Sequence, residues 1–166
     1  MPYDDPGGLI AVDADLTSHA IALDADGTVT AMELSRDGTR LLVALATPDG
    51  PRLFVAGVQR DADLAPVALS TPIELPQLDP IVDIAWLDGS SIAVLAAGSG
   101  GTHVEVVPLG GPVVNLGIVE GGVQIVGGNL QGGLRVLTST GTVLRPSSAG
   151  GWVDTGLIAS FLGTQQ

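Results

Sequence analysis

The sequence lacks cysteine and lysine and is poor in aromatic residues. Without Cys in its 166 residues, the chain has no disulfide, no thiolate metal site and no cysteine nucleophile. All six basic residues are Arg, against 18 acids, and the formal net charge is −12. Nucleic-acid binding needs a basic face that displaces counterions, so this class of function is excluded. Binding to an anionic membrane surface is unfavourable for the same reason.

Recognisable catalytic motifs are also missing. The sequence has no Gly-x-Ser-x-Gly elbow, no phosphate-binding glycine loop ending in Lys-Ser/Thr and no His-Glu-x-x-His. Its two histidines, His19 and His103, lie in strand-like segments, where a single His is most often structural. We therefore predict no enzyme activity, no catalytic residues, no cofactor and no metal site. A hydrolase that uses two of the many carboxylates remains a third-ranked alternative.

One acidic segment resembles part of a calcium-binding loop. Asp24-Ala-Asp26-Gly27-Thr28-Val29, with Glu33 further on, fits positions 3 to 8 and 12 of an EF-hand loop, but Ala22 stands where the leading Asp should be. The flanking segments also have the pattern of strands rather than of helices. We predict an Asp-Gly turn between strands, with no calcium bound at Asp24 and Asp26.

Glycine, proline and apolar residues are abundant, and they recur in a repeating pattern. The 24 Gly and 11 Pro leave no uninterrupted amphipathic helix. Three apolar segments each lead through a small turn into a second strand: 29–35 to 40–45, 81–87 to 91–96, and 123–129 to 134–138. The turns fall at 37–38, 88–89 and 131–132, and two of them are Asp-Gly, a strong hairpin signal. Third strands are predicted at 52–60, 103–109 and 142–146, and outer strands at 67–75, 113–119 and 152–161.

Four strands in each unit, repeating about every 40–50 residues, fit the blades of a β-propeller. The inner strands are nearly continuous apolar runs, as expected of sheets covered on both faces. We predict an all-β fold, a partial β-propeller of about three and a half four-stranded antiparallel blades, with a β-sandwich as the alternative. A partial blade at 1–28 and blades at 29–76, 81–120 and 122–161 are predicted to form one domain. The residues expected in the core are Leu42, Val43, Leu45, Ile84, Trp86, Val94, Leu95, Val136 and Leu137.

Two N-terminal segments, 9–13 and 19–24, are predicted to be the outer strands of a blade whose start is missing. We therefore expect the chain to be the C-terminal portion of a larger protein. Blade faces and strand edges that the parent protein would cover are then uncovered. We therefore expect this fragment to self-associate or, alternatively, its last strand at 152–161 to pair with the N-terminal partial blade.

Four stretches resemble the C-terminal β-propeller domain of the actinobacterial lipoprotein family LpqB. They are AMELSRDGTRLLVAL at 31–45, RLFVAG at 52–57, VDIAWLDG at 82–89 and GGWVDTG at 150–156. The resemblance covers nearly everything from residue 29 onward, whereas 1–28 match less distinctly.

The resemblance implies both a location and a partner. It implies a germination-type module and a lipidated N-terminal Cys ahead of the propeller, and membrane attachment at the extracytoplasmic face only through that missing N-terminus. The family is associated with the extracytoplasmic sensor of the MtrA–MtrB two-component system and with envelope homeostasis, and has no established catalytic residues. We expect a non-catalytic module that binds the sensor domain of the histidine kinase. Binding of a cell-wall glycan or peptide is the alternative.

The acidity is uneven along the chain. Residues 1–80 hold 13 acids and 4 Arg, a balance of −9, whereas residues 81–166 have a balance of −3. Complementary charge accelerates encounter between proteins. We therefore expect the partner surface to be basic, with Asp61 and Asp63 among the acids that attract it.

Overall fold

The computed structural model describes residues 8–12, 15–76, 79–128 and 133–163. These residues form fifteen strands: β1 Gly8–Val12, β2 Ser18–Ala22, β3 Thr28–Leu34, β4 Arg40–Thr47, β5 Gly50–Arg60, β6 Pro66–Leu69, β7 Ile73–Leu75, β8 Ile81–Trp86, β9 Ser91–Gly98, β10 Gly101–Pro108, β11 Val114–Val119, β12 Gly122–Val126, β13 Arg135–Thr138, β14 Thr142–Pro146 and β15 Trp152–Ile158. Within the described ranges there is no helix that could cross a membrane.

The chain divides into two compact units, Met1–Leu75 and Pro76–Gln166. In the first unit β1 pairs with β2, and a second sheet has the order β3-β4-β5-β6, with β7 also paired to β5. In the second unit one sheet contains β8 to β11 and another β12 to β15, each in sequential order. All pairs are antiparallel, so the predicted all-β partial propeller is confirmed. The blade boundaries and their assignment to one domain stay predictions.

The core consists of the apolar inner strands, as the repeat predicts. All nine residues predicted for the core are at most 7% exposed. In the second unit, Val104 and Val106 of β10 belong to the same cluster as Ile125 of β12 and Val136 of β13. This cluster joins the two sheets of that unit face to face, which explains why β9 is a nearly continuous apolar run that is buried throughout its middle.

The two Asp-Gly turns have the same hydrogen bonds. The Asp37 carboxylate accepts from the backbone N–H of Thr39 at 3.1 Å and from its hydroxyl at 2.8 Å. The Asp88 carboxylate accepts from the backbone N–H of Ser90 at 2.7 Å and from its hydroxyl at 3.0 Å. Gly38 has a φ of 67°, which a glycine adopts without strain. The third predicted turn, 131–132, lies outside the described residues.

The first strand of each four-stranded repeat (β3, β8 and β12) carries a β-bulge near its start. The register shifts fall between Val29 and Ala31, between Ile81 and Asp83, and between Gly122 and Gln124. A bulge re-aims the side chain that follows it. In the second unit these side chains make long-range bonds, since Asp83 accepts the N–H of Ile125 at 2.8 Å.

The sequence predicts one continuous outer strand at 67–75, and this prediction is wrong. The segment forms two short strands, β6 and β7, both paired with β5. Between them the N–H of Gly57 donates to the hydroxyl of Ser70 at 2.8 Å instead of to a backbone carbonyl. Pro72 has no N–H to offer the ladder. The remaining predicted strands agree with the structure to within a few residues, apart from residues 13 and 129, which lie outside the described ranges.

Candidate functional site

An open apolar groove of about 700 Å³ lies in the first unit. Apolar residues that line it come from β1, β3 and β4: Ile10, Val12, Met32, Leu34 and Leu41. The first four of these are between 49% and 58% exposed. Large contiguous apolar patches are rare on the surface of soluble proteins, and where they occur they commonly mark an interaction site.

Leu64 adds a more exposed apolar side chain to the groove. It lies in the loop between β5 and β6, is 72% exposed and has a φ of 66°, in the left-handed region that residues other than glycine rarely adopt. The loop is held in shape by Asp61, whose carboxylate accepts the N–H groups of Asp63 at 3.0 Å and Ala65 at 2.9 Å. This conformation presents Leu64 to solvent.

Arg60 fixes the same loop from the end of β5. Its guanidinium donates to the carbonyl of Leu64 at 2.8 Å and to the carbonyl of Gly38 at 3.1 Å. The loop is therefore joined to the Asp37-Gly38 turn. Such bonding means that little ordering entropy is lost when a partner docks on the loop.

The charged side chains in the groove lining are Asp15, Asp63 and Arg60. Two acids against one Arg give the groove lining a formal charge of about −1, and Arg60 is held against two backbone carbonyls. Of the acids predicted to attract a partner, Asp63 lines the groove, whereas Asp61 shapes the loop through its hydrogen bonds. Attraction of a basic partner itself stays a prediction.

The two histidines have different surroundings. His19 is half-buried on β2. His103 on β10 is 8% exposed, and its Nε2 lies 3.4 Å from Oδ2 of Asp79 and 3.4 Å from Oε1 of Glu105. Sequence reasoning treated His103 as structural and missed this cluster. The available signal was His103-x-Glu105, because alternate residues of a strand share one face.

Asp24 and Asp26 lie in the link between β2 and β3, where the sequence predicts a turn. There the N–H of Ala25 donates to the carbonyl of Leu23 at 2.8 Å, and Gly27 has a φ of 139°. A side chain at Gly27 would meet the carbonyl oxygen of Ala46 at 2.9 Å, so glycine is needed in this link. That no calcium binds here stays a prediction for calorimetry.

The groove offers apolar surface, two acids and a prearranged loop, which together suit binding. The antiparallel sheets of the whole chain, built mostly of four strands each, define it as a β-propeller-type domain. Comparison with protein-family models gives the particular family: residues 6–158 match the lipoprotein LpqB beta-propeller domain, and the chain belongs to this family. The resemblance found in the sequence is thereby confirmed. No curated protein matches the chain.

Membership of this family has two consequences. A lipoprotein domain implies an envelope-associated, extracytoplasmic location. A β-propeller domain of a lipoprotein is also, in general, a non-catalytic module.

Proposed function

We propose that this chain is a non-catalytic protein-interaction module of a cell-envelope lipoprotein and that it binds its partner through the groove of the first unit. The observation that carries the proposal is the exposed Leu64, held in a left-handed conformation at the groove by a loop that Arg60 and Asp61 fix with hydrogen bonds. A non-glycine residue in this conformation costs about 1–2 kcal/mol. Leu16 shares this conformation, and what distinguishes Leu64 is that its side chain lines the groove.

The partner we propose is the extracytoplasmic sensor domain of the histidine kinase in the MtrA–MtrB two-component system, with modulation of envelope homeostasis as the result. Support comes from the family and from the acids Asp15 and Asp63, which suit a partner segment that is apolar and flanked by basic residues. Attachment to the membrane would come from a lipidated N-terminus of the larger protein.

Replacing Leu64 with glycine tests the groove. Leu64→Gly removes the apolar side chain and relieves the left-handed strain, so the fold should be kept. Burying a leucine contributes about 1.5–3 kcal/mol, and we expect binding to the sensor domain to weaken by roughly tenfold or more. Surface plasmon resonance with the immobilised sensor domain measures this change.

Leu16 provides a matched control. It is also a left-handed leucine, with a φ of 61° and 82% exposure, but it is not part of the groove lining. Leu16→Gly should leave the affinity unchanged. Equal affinities for wild type and Leu64→Gly would contradict the groove. If the wild type does not bind the sensor domain, the partner is wrong and the cell-wall glycan or peptide alternative takes its place.

A further inference from the structure

Three side chains that can bind metals meet in the second unit, apart from the groove. His103 and Glu105 lie on one face of β10, and Asp79 lies just before β8. One ligand atom from each of the three lies within 4.8 Å of the others. Among the described residues, this is the only group of three or more such side chains that is close enough to hold one ion.

The distances are too long for ordinary ion-pair hydrogen bonds. Nε2 of His103 is 3.4 Å from an oxygen of Asp79 and 3.4 Å from an oxygen of Glu105. A charge-assisted N–H···O bond measures about 2.7–2.9 Å. Two ligands of a tetrahedral ion with bonds of about 2.1 Å, by contrast, lie about 3.4 Å apart. The two distances from Nε2 therefore match donors around a shared ion better than donors bonded to each other. The three ligand atoms lie within 4.8 Å of one another, so a bound ion would draw the two carboxylate oxygens somewhat closer together.

The imidazole is also fixed in place. The His103 side chain is 11% exposed, and a Cβ added at Gly98 would lie 3.1 Å from its Nδ1 and 3.2 Å from its Cε1. The ring thus lies directly against the Gly98 backbone, with Nε2 directed to the two carboxylates. The Asp79 side chain is 47% exposed, which leaves the cluster open to water on one side.

We propose that Asp79, His103 and Glu105 form a binding site for a divalent transition-metal ion of the zinc class. Nε2 and one oxygen of each carboxylate supply three ligands, and water completes the shell. One imidazole and two carboxylates are donors that Zn²⁺ accepts, and three protein ligands with an open position is a common zinc arrangement. The ion would tie the segment before β8 to β10. This proposal stands against the sequence-based prediction of no metal site, and zinc titration decides between the two.

Calorimetric titration of the chelator-treated chain with ZnCl₂ tests the site. We expect one ion per chain, bound with a dissociation constant in the micromolar range or tighter. Loss of a group that merely supports a ligand weakens metal binding about 10–100-fold. Loss of a ligand itself, in Glu105→Gln or Asp79→Asn, should therefore weaken zinc binding by at least about tenfold.

Two matched controls separate a specific site from general acidity. Glu120→Gln removes an exposed acid of the same unit, and His19→Gln removes the other histidine. Neither should change zinc affinity. Circular dichroism of each variant shows whether the strands are kept. A His103→Gln variant would remove the third ligand but also a buried side chain, so a loss of zinc binding there could reflect a loss of the fold. Glu105→Gln and Asp79→Asn keep the shape of the side chain, and they test zinc binding without the need for that variant.

Cobalt provides an independent readout of geometry. Co²⁺ in a four-coordinate site with an imidazole ligand gives strong visible absorption, which Glu105→Gln should weaken. The proposal is overturned if zinc binds the wild type more weakly than the micromolar range, or if both carboxylate variants bind it as the wild type does. Either result would mean that the three residues form only a polar cluster around a structural histidine.

Discussion

Asp83 is a partly buried acid that the second unit uses as a connector. Burial raises the pKa of its carboxyl above the usual 3.8, although backbone N–H groups of Ile125 and Ile84 act in the opposite direction. The Ile125 bond joins β8 to β12, the first strands of two successive sheets. Partial burial is unfavourable for the Asp83 carboxylate, but its Oδ2 is the acceptor for the N–H of Ile125.

The raised pKa of Asp83 makes a pH-dependent contribution to stability. Between pH 3.8 and the raised folded pKa, the folded state holds more protons than the unfolded state, so this contribution falls as pH rises. Asp83→Asn keeps an acceptor oxygen and should remove this part of the pH dependence. Asp83→Ala leaves the N–H of Ile125 without its partner and should cost about 1–3 kcal/mol at every pH. Urea unfolding across a pH series measures both, and a pH profile unchanged in Asp83→Asn would contradict the assignment.

Asp37 shows the opposite behaviour at an exposed turn. Hydrogen bonds from the Ser35 hydroxyl, the Thr39 hydroxyl and the Thr39 N–H lower the pKa of its carboxyl to about 2. Any stability it contributes is therefore present above the usual pKa and is lost as the pH falls toward 2. The two acids differ because one is surrounded by donors in water, while the other is removed from water.

At the scale of strands, the bulges of β8 and β12 aim side chains that bond each of these strands to a later part of the chain. Asp83 follows the bulge of β8 and bonds to Ile125 of β12, whereas Gln124 follows the bulge of β12 and bonds to the chain after β15. The Gln124 amide donates to the carbonyl of Leu162 and accepts its N–H, both at 2.9 Å. The chain around Leu162 thus makes with β12 the kind of contact that β12 makes with β8.

Gly127 marks a close approach at the end of β12. A Cβ at this position would overlap the carbonyl oxygen of Trp86 and lie 2.7 Å from its carbonyl carbon, so backbone rather than a mobile side chain would have to move. We expect Gly127→Ala to destabilise the fold by about 3 kcal/mol or more, as overpacking against backbone does. Gly110→Ala, where nothing lies within 4 Å, is the control and should be nearly neutral. Thermal unfolding compares the two, and equal melting temperatures would contradict the packing at β12.

Local pattern predicted most strands because hairpin turns and apolar runs are local signals. The Asp37 and Asp88 turns and the buried Leu42 and Trp86 follow from them directly. The break at Ser70 did not, since it depends on which group the N–H of Gly57 selects across the sheet. The separation of β6 from β7 therefore depends on how this segment pairs with β5, and the sequence of the segment alone does not reveal it.

The candidate sites were less predictable than the strands. Asp79 approaches His103 because the carbonyl of Pro80 accepts the N–H of Ala97, which places the start of β8 beside the end of β9. This contact is long-range in sequence, and only His103-x-Glu105 gave a local sign of it. The groove likewise depends on the left-handed conformation of Leu64, which no residue-type preference predicts for leucine.

For the whole molecule, the exposed apolar residues near β15 bear on self-association. Leu157, Ile158 and Phe161 are 61%, 89% and 71% exposed. Because exposed apolar surface favours association, we expect the sedimentation coefficient to rise with protein concentration. Ile158→Lys should reduce this rise, whereas Ser148→Lys, at an exposed polar position, should not. A single monomeric species at all concentrations would contradict self-association.

The net charge of −12 predicts how the proposed partner is approached. Residues 1–80 contribute −9 of it, and Asp63 is an acid of the groove lining in this part of the chain. Charge complementarity acts mainly on the association rate, and salt screens it beyond about 8 Å at physiological ionic strength. We expect association with the kinase sensor domain to slow as salt rises. Asp63→Arg should slow association more than it speeds dissociation.

Asp63 is the better position for this reversal because the Asp61 carboxylate is needed to hold the loop in shape. Glu120→Arg changes the net charge equally at an exposed position in the other unit, and its smaller effect would show that the charge must lie near the groove. Surface plasmon resonance across a salt series separates the two rate constants. If binding occurs with an association rate that neither salt nor Asp63→Arg alters, the partner is held by apolar contact at the groove without electrostatic attraction. Leu64→Gly would then be the variant that releases it, through a faster dissociation rate.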